Sequence, residues 1–269
     1  MKPATSGEKL YFLIRDVVLI ANDASGLDWP TVNEFLAEVA GTERFAFYVR
    51  GAIAIHAMRR LLRYWAEEKQ QLNDESQYIK KAKKIIGSEV FPWLSDDLKG
   101  RLARHLIAAS DSSFRSISPT VRKNVIGLRG TANCYLCDKQ IFDDRSDQDP
   151  DLLTLEHLWP QSMGGDSIEA NLVPACPACQ NDTKDTLSWE WLNIHNLVLP
   201  PEPTEQALKS ISRKTRVAKH FEHAIKIATE EKITLKNALL RIGPRQQELS
   251  YVKTGMPVTF FDLKTVTDF

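Results

Sequence analysis

Apolar residues recur at helical spacing through most of the first 130 positions. The pattern predicts an amphipathic helix over 7–21, a second within "DWPTVNEFLAEVAG" with Thr31 as cap and Gly41 as stop, and a long helix over 42–71 whose charge gathers toward its end. Shorter helices are predicted over 74–86, 95–110 and 119–128. After Gly130 the texture changes. Two short apolar runs, "LLTL" and "NLV", read as strands, and "PACQNDTKDTLSWEWLNI" reads as a helix. The prolines of "LPPEP" at 199–203 punctuate the chain, because proline stops helices and favours extended linkers. Helices over 204–232 and 234–242 follow, and the tail "PVTFFDL" reads as an edge strand. The expected class is mainly α, with a helical domain at 1–130, a small strand-containing module at 131–198 and a helical C-terminal extension at 199–269.

A chain of 269 residues that is 43% hydrophobic can bury a substantial core. The most apolar early stretch, "LYFLIRDVVLIA", carries Arg15 and Asp16 in its middle, which argues against a membrane span and a signal peptide and points to the cytoplasm. Lys plus Arg equals Asp plus Glu at 35 each, so the chain lacks the bulk positive field of many nucleic-acid binders. Local charge is uneven. Lys99, Arg101, Arg104, Arg115, Arg122, Lys123 and Arg129 face only Asp111 in the same run, whereas "CDKQIFDDRSDQDPD" is acidic. Arg115, Arg122, Lys123 and Arg129 are therefore the candidates for contacts with nucleic-acid phosphates, the alternative being a solvated helix face.

All four cysteines fall in two Cys-x-x-Cys pairs, Cys134/Cys137 and Cys176/Cys179. In a cytoplasmic chain this reads as a structural tetrathiolate Zn²⁺ site, since a thioredoxin-like redox pair would stand alone beside a βαβ pattern. The interval between the knuckles is wider than the fifteen to twenty residues, roughly, of an ordinary zinc ribbon. Something is built between them.

What lies between is "TLEHLWPQSMGGDSIEANLVPACPACQNDTKD". The order Cys-x-x-Cys, strand ending in acid-His, Pro, Gly-Gly, Asn-Leu, Cys-x-x-Cys and Asn-x-x-Lys resembles the HNH endonucleases over about 132–193. That resemblance implies a ββα-metal fold and metal-dependent hydrolysis of DNA phosphodiesters. It implies His157 as general base, Asn171 as the residue restraining the loop between the strands, and Lys184 as a phosphate contact. It also implies Glu156 and Asn181 as ligands of a single Mg²⁺ or Mn²⁺ ion, with Asp182 as the fallback for Asn181. An imidazole near its reference pKa of about 6.5 suits a base at neutral pH, and a hard cation that keeps most of its waters needs few protein ligands. Glu156 stands where the family more often has Asp, and Gln180 separates Asn181 from Cys179 where many members have none. Adjacent strand residues point to opposite faces, so Glu156 reaches an ion beside His157 only if the strand end is irregular.

Stand-alone proteins of this plan are often restriction or antiphage nucleases. The helical N-terminal region exceeds what such a module needs, and is expected to dock a partner protein or a second copy of the chain. The alternative class is a non-catalytic zinc-stapled nucleic-acid-binding or adaptor subunit. Among the other histidines, His56 is expected in or near the core; His105 and His195 lack ligand neighbours, and His220 and His223 share a helix face. Trp159, Trp189 and Trp191 are expected to pack around the zinc module.

Overall fold

A computed structural model describes residues 1–19, 42–72, 74–183, 217, 220–221 and 223–244, side chains being described from residue 50 onward in the second segment and to residue 181 in the third. The helix expected within "DWPTVNEFLAEVAG", the "LPPEP" linker, the tail, His195, Trp189, Trp191 and Lys184 lie outside these residues, as does the Asp182 side chain. The described chain is mainly helical with two small sheets. None of its helices is long and apolar enough to cross a membrane. It divides into two compact units, and neither is one continuous stretch of chain.

The helical unit comprises Pro3–Ser116 with Gln161–Asp166. Its first helix, α1 (Ser6–Leu13), begins at a reciprocal cap: the Thr5 hydroxyl accepts from Glu8 N at 3.1 Å, and the Glu8 carboxylate accepts from Thr5 N at 2.8 Å. Burial raises the Glu8 pKa, against the pull of these bonds. A π-helical turn, Ile14–Val18, continues α1. The long helix α2 (Thr42–Lys69), α3 (Tyr78–Ile85), its π-helical continuation Ile86–Val90, and α4 (Asp96–Ser112) complete the set. Leu10, Ile14, Met58, Leu61, Trp65, Ile86, Leu102 and Leu106 are fully buried at the spacings the sequence pattern implies. Ser95 caps α4 by accepting from Leu98 N. His56, expected in or near the core, is exposed: its neighbours Ile55, Ala57 and Met58 take the buried face of α2, and the helical rotation turns His56 outward.

The second unit comprises Met1–Lys2, Ile117–Pro160 and the described residues from Ser167 on. Helix α5 (Pro119–Ile126) starts at the Ser118 cap with proline in its first turn and stops at Gly127, whose φ is +80°. The sequence pattern grouped α5 with the N-terminal helices. In the structure Val121, Val125 and Ile126 instead pack on the core of the strands. Strands β1 (Thr131–Asn133) and β2 (Gln140–Phe142) form an antiparallel hairpin, and β3 (Thr154–His157) pairs antiparallel with β4 (Leu172–Ala175). Helix α6 (Pro177–Thr183) follows β4 after one residue. Helix α7 (223–230) and α8 (Leu235–Ile242) belong to the same core: Phe221, Ala224, Ala228, Leu235, Ala238 and Leu239 cluster with Leu155, Leu172 and Val173. Amphipathic helices this short have no core of their own, so they complete that of the strands.

The segment between β3 and β4 is fixed by Gly164. Its φ is +76°, and an added Cβ would lie 2.6 Å from the Ala109 Cβ and 2.9 Å from the Ala109 backbone. Gly7 N donates to the Gly164 carbonyl at 2.8 Å. Gly164→Ala is expected to cost about 2 kcal/mol or more, from left-handed strain plus a backbone clash that no rotamer relieves. Thermal melts of wild type and variant check this, and an unchanged Tm would contradict it.

Candidate metal centre and histidine site

The thiol cluster is assembled by two tight turns. After β1 the chain folds through Cys134-Tyr135-Leu136-Cys137, where Cys134 N donates to the Lys139 carbonyl at 2.8 Å and Asp138 N to the Cys134 carbonyl at 2.9 Å. Asp138 takes a positive φ of 63°, and its carboxylate accepts from the Asn133 side chain at 3.0 Å. Tyr135 N donates to the Pro174 carbonyl at 2.9 Å, which ties this knuckle to β4. Cys176 follows β4 directly, and Cys179 falls in the first turn of α6, where Gln180 N donates to the Cys176 carbonyl at 3.0 Å.

These turns bring the four sulfurs within 4.8 Å of one another, with Cys137 Sγ to Cys176 Sγ at 3.8 Å. A tetrahedral zinc with Zn–S of about 2.3 Å requires sulfur–sulfur edges of about 3.8 Å. The cluster can therefore hold a zinc ion with little movement. Its electrostatics agree. A hydrogen bond from Cys179 pulls the Cys134 thiol down to about 4, burial pushes Cys137 up to about 11, and the bond to Cys134 pushes Cys179 up. Without a cation one thiolate forms at its neighbours' expense, whereas a divalent cation lets all four ionise together.

The histidine lies at the other end of the strand pair, since Thr154 faces Ala175, next to Cys176, whereas His157 faces Leu172. β3 is regular through its last residue, with Glu156 opposite Val173 and His157 opposite Leu172. His157 is half-buried, its Nε2 is 3.1 Å from Ser167 Oγ, and burial lowers its pKa. At neutral pH the ring is uncharged. If Nε2–H donates to Ser167, Nδ1 is left as the acceptor. Asn171 is buried and grips the main chain two residues beyond His157: its Oδ1 accepts from Trp159 N at 2.7 Å and its Nδ2 donates to the Trp159 carbonyl at 3.0 Å. With Leu158 N donating to the Asn171 carbonyl at 2.9 Å, the exit from β3 is held against the entry to β4. Trp159 is fully buried.

The remaining site residues are dispersed. Glu156 is only 5% exposed, and strand alternation sends it to the face opposite His157. Asn181 is exposed on α6, while its neighbour Gln180 turns inward to donate to the Leu155 carbonyl at 3.4 Å. Arg122 is ion-paired with Asp143 and reaches the Leu153 carbonyl; Lys123 and Arg129 are exposed. Arg115 is exposed in the helical unit, so the basic run is shared between the two units. His220 is buried and His223 exposed, so the two do not share a face for a ligand. The residue that sequence reasoning missed is Ser167. Its only signal was a hydroxyl closing the Gly-Gly-Asp turn, ten residues after His157.

Comparison with known protein families, curated proteins and solved structures returns no match to this chain.

The thiol cluster is expected to bind one zinc per chain, contributing on the order of 10 kcal/mol as zinc does in small zinc-dependent domains. Cys176→Ser should lower both zinc content and Tm. Elemental analysis of the purified protein checks this, and well-folded protein free of zinc would contradict it.

Proposed function

We propose that this chain is a metal-dependent endonuclease of the HNH class that cleaves DNA, with His157 as general base. The observation that carries the reading is the linkage of a half-buried, neutral imidazole at the end of β3 to the Asn171 clamp on Trp159. The order of elements supports it too, since the antiparallel pair β3–β4 leads directly into α6 beside a four-thiol cluster.

In this mechanism His157 accepts the proton of the attacking water. Its lowered pKa keeps it competent at neutral pH and below, and activity falls only when acid protonates the ring. Ser167 orients the ring, and Asn171 fixes the backbone that carries it, which matters because small misplacements of a reacting group cost large factors in rate. Lys184 is assigned to the substrate phosphate. Asn181, exposed on α6, and Glu156 are assigned to a Mg²⁺ or Mn²⁺ ion. Their oxygen donors suit such a hard cation, but the placement of Glu156 on the opposite strand face fits a shared ligand set poorly. When bound, such an ion neutralises charge developing on the phosphate. The proposed setting is antiphage defence or restriction, with a partner protein or second copy docked on the helical unit.

The burial of Glu156 favours a second reading, a non-catalytic nucleic-acid-binding or adaptor subunit in which this carboxyl is purely structural.

Supercoiled plasmid incubated with zinc-loaded protein, with Mg²⁺, Mn²⁺ or neither added, separates the two. Cleavage should require the added ion, and His157→Ala should lose roughly a hundredfold or more while keeping zinc. Undiminished cleavage by His157→Ala, or none by wild type with either ion, would overturn the nuclease reading.

Loss of one hydrogen bond worth about 1 kcal/mol predicts a roughly fivefold slower reaction for Ser167→Ala. Glu156→Gln is diagnostic in another way. A ligand role predicts partial rescue by raised metal, and a structural role predicts a lower Tm with no metal dependence.

A further inference from the structure

The helical unit carries a second polar site that neither the zinc centre nor the histidine uses. Ser76 in the 3-10 turn Glu75–Gln77, Ile79, Lys80, Lys83 and Lys84 on α3, and Gly87 in its π-helical continuation recur at about one-turn intervals and line one side of a groove. With Asp96 and Lys99 across from them they line an open groove of about 680 Å³. Four lysines meet one carboxylate here. Lys83 is ion-paired with Asp96, and Lys81, outside the groove, with Glu68 at 2.6 Å. Lys99 Nζ donates to the Pro92 carbonyl at 3.3 Å. Lys80 and Lys84 are exposed and have no carboxylate partner among the described residues. Gly87 forms part of the wall: a Cβ there would lie 3.2 Å from Lys99 Cε and Nζ, so the bare backbone leaves the Lys99 stem its course across the groove.

We propose that this groove binds the phosphate backbone of a nucleic acid. Three cations beyond the one that Asp96 neutralises call for a ligand of several negative charges. Lys80 and Lys84, one helical turn of about 5.4 Å apart, present theirs in a row. The groove is open, as a strand running through it requires, and nothing encloses a small molecule on all sides. Lysines act on phosphates as point charges, without the fixed fork an arginine offers, which suits binding that does not depend on sequence. Ile79, 38% exposed in the wall, gives the sugar edge an apolar contact. The inference concerns binding alone and stands whether or not the His157 site cleaves.

The test uses full-length His157→Ala protein without added Mg²⁺, so that cleavage does not enter the readout. Its affinity for a fluorescein-labelled duplex oligonucleotide is measured by anisotropy between about 50 and 200 mM salt. Lys80→Gln with Lys84→Gln should weaken binding at least about tenfold at the low-salt end. It should also flatten the log–log salt dependence by about 1.8 for duplex, or about 1.4 for single strand, the value for two lost phosphate contacts. Lys226→Gln, an exposed charge on α7, should leave that slope in place, and circular dichroism should show all variants equally helical. An unchanged slope in the double variant would overturn the proposal, as would an equal change in Lys226→Gln. Saturable binding of inorganic tripolyphosphate with no oligonucleotide binding would overturn it as well, in favour of a small phosphorylated ligand.

Discussion

Four sulfurs held within a few ångströms cannot all carry charge unless a cation sits among them, and the strand-containing unit is organised around that constraint. Two sulfurs come from the turn after β1, and two from the junction of β4 and α6. A metal bound there would join the hairpin to the helix and fix where β4 ends. Because β4 pairs with β3, the same anchor would fix the register that puts His157 opposite Leu172. The two sheets are too short to be stable alone, with strands of three or four residues, so this anchor and the apolar cluster contributed by α5, α7 and α8 must supply what the hydrogen-bond ladders do not.

Much of this was legible in the sequence for identifiable reasons. Helical periodicity located α2 to within a residue or two at its end, and the helix starts expected at 95, 119 and 234 are realised with Ser95, Ser118 and Thr234 as side-chain caps. The paired cysteines announced their cluster because few other arrangements explain four thiols at those spacings. Periodicity could not assign ownership. Val121 and Val125 look the same in sequence whether their helix packs on other helices or on a sheet, and only tertiary contact decides. His56 shows the companion error, since a polar residue within an apolar run still obeys the helical rotation and emerges on the solvent side.

The histidine site was legible in its parts and less so in their relations. His157 ends β3 and Asn171 immediately precedes its partner strand β4, and the doubly hydrogen-bonded grip of Asn171 on Trp159 is a use of asparagine that spacing alone does not reveal. Strand alternation is the harder constraint. A regular β3 gives His157 and Glu156 different surroundings, one half-open and one closed, so neighbours in sequence become strangers in chemistry. Ser167 is the reverse case, distant in sequence and adjacent in space, brought to the imidazole by the return of the chain into β4.

The membership of the two units has a consequence for how the chain reaches its folded state. Met1 and Lys2 belong with the strands, and Lys2 N donates to the Ile233 carbonyl at 2.9 Å, so these two residues are tied to one made much later. The helical unit is likewise completed by residues 161–166, which emerge only after β3. During synthesis the N-terminal helices must therefore wait, with part of their core uncovered, until the segment carrying Gly164 has been made. The first two residues wait longer still. A chain interleaved in this way acquires its long-range contacts last, and the hazard it runs is exposure of an unfinished helical core while translation proceeds.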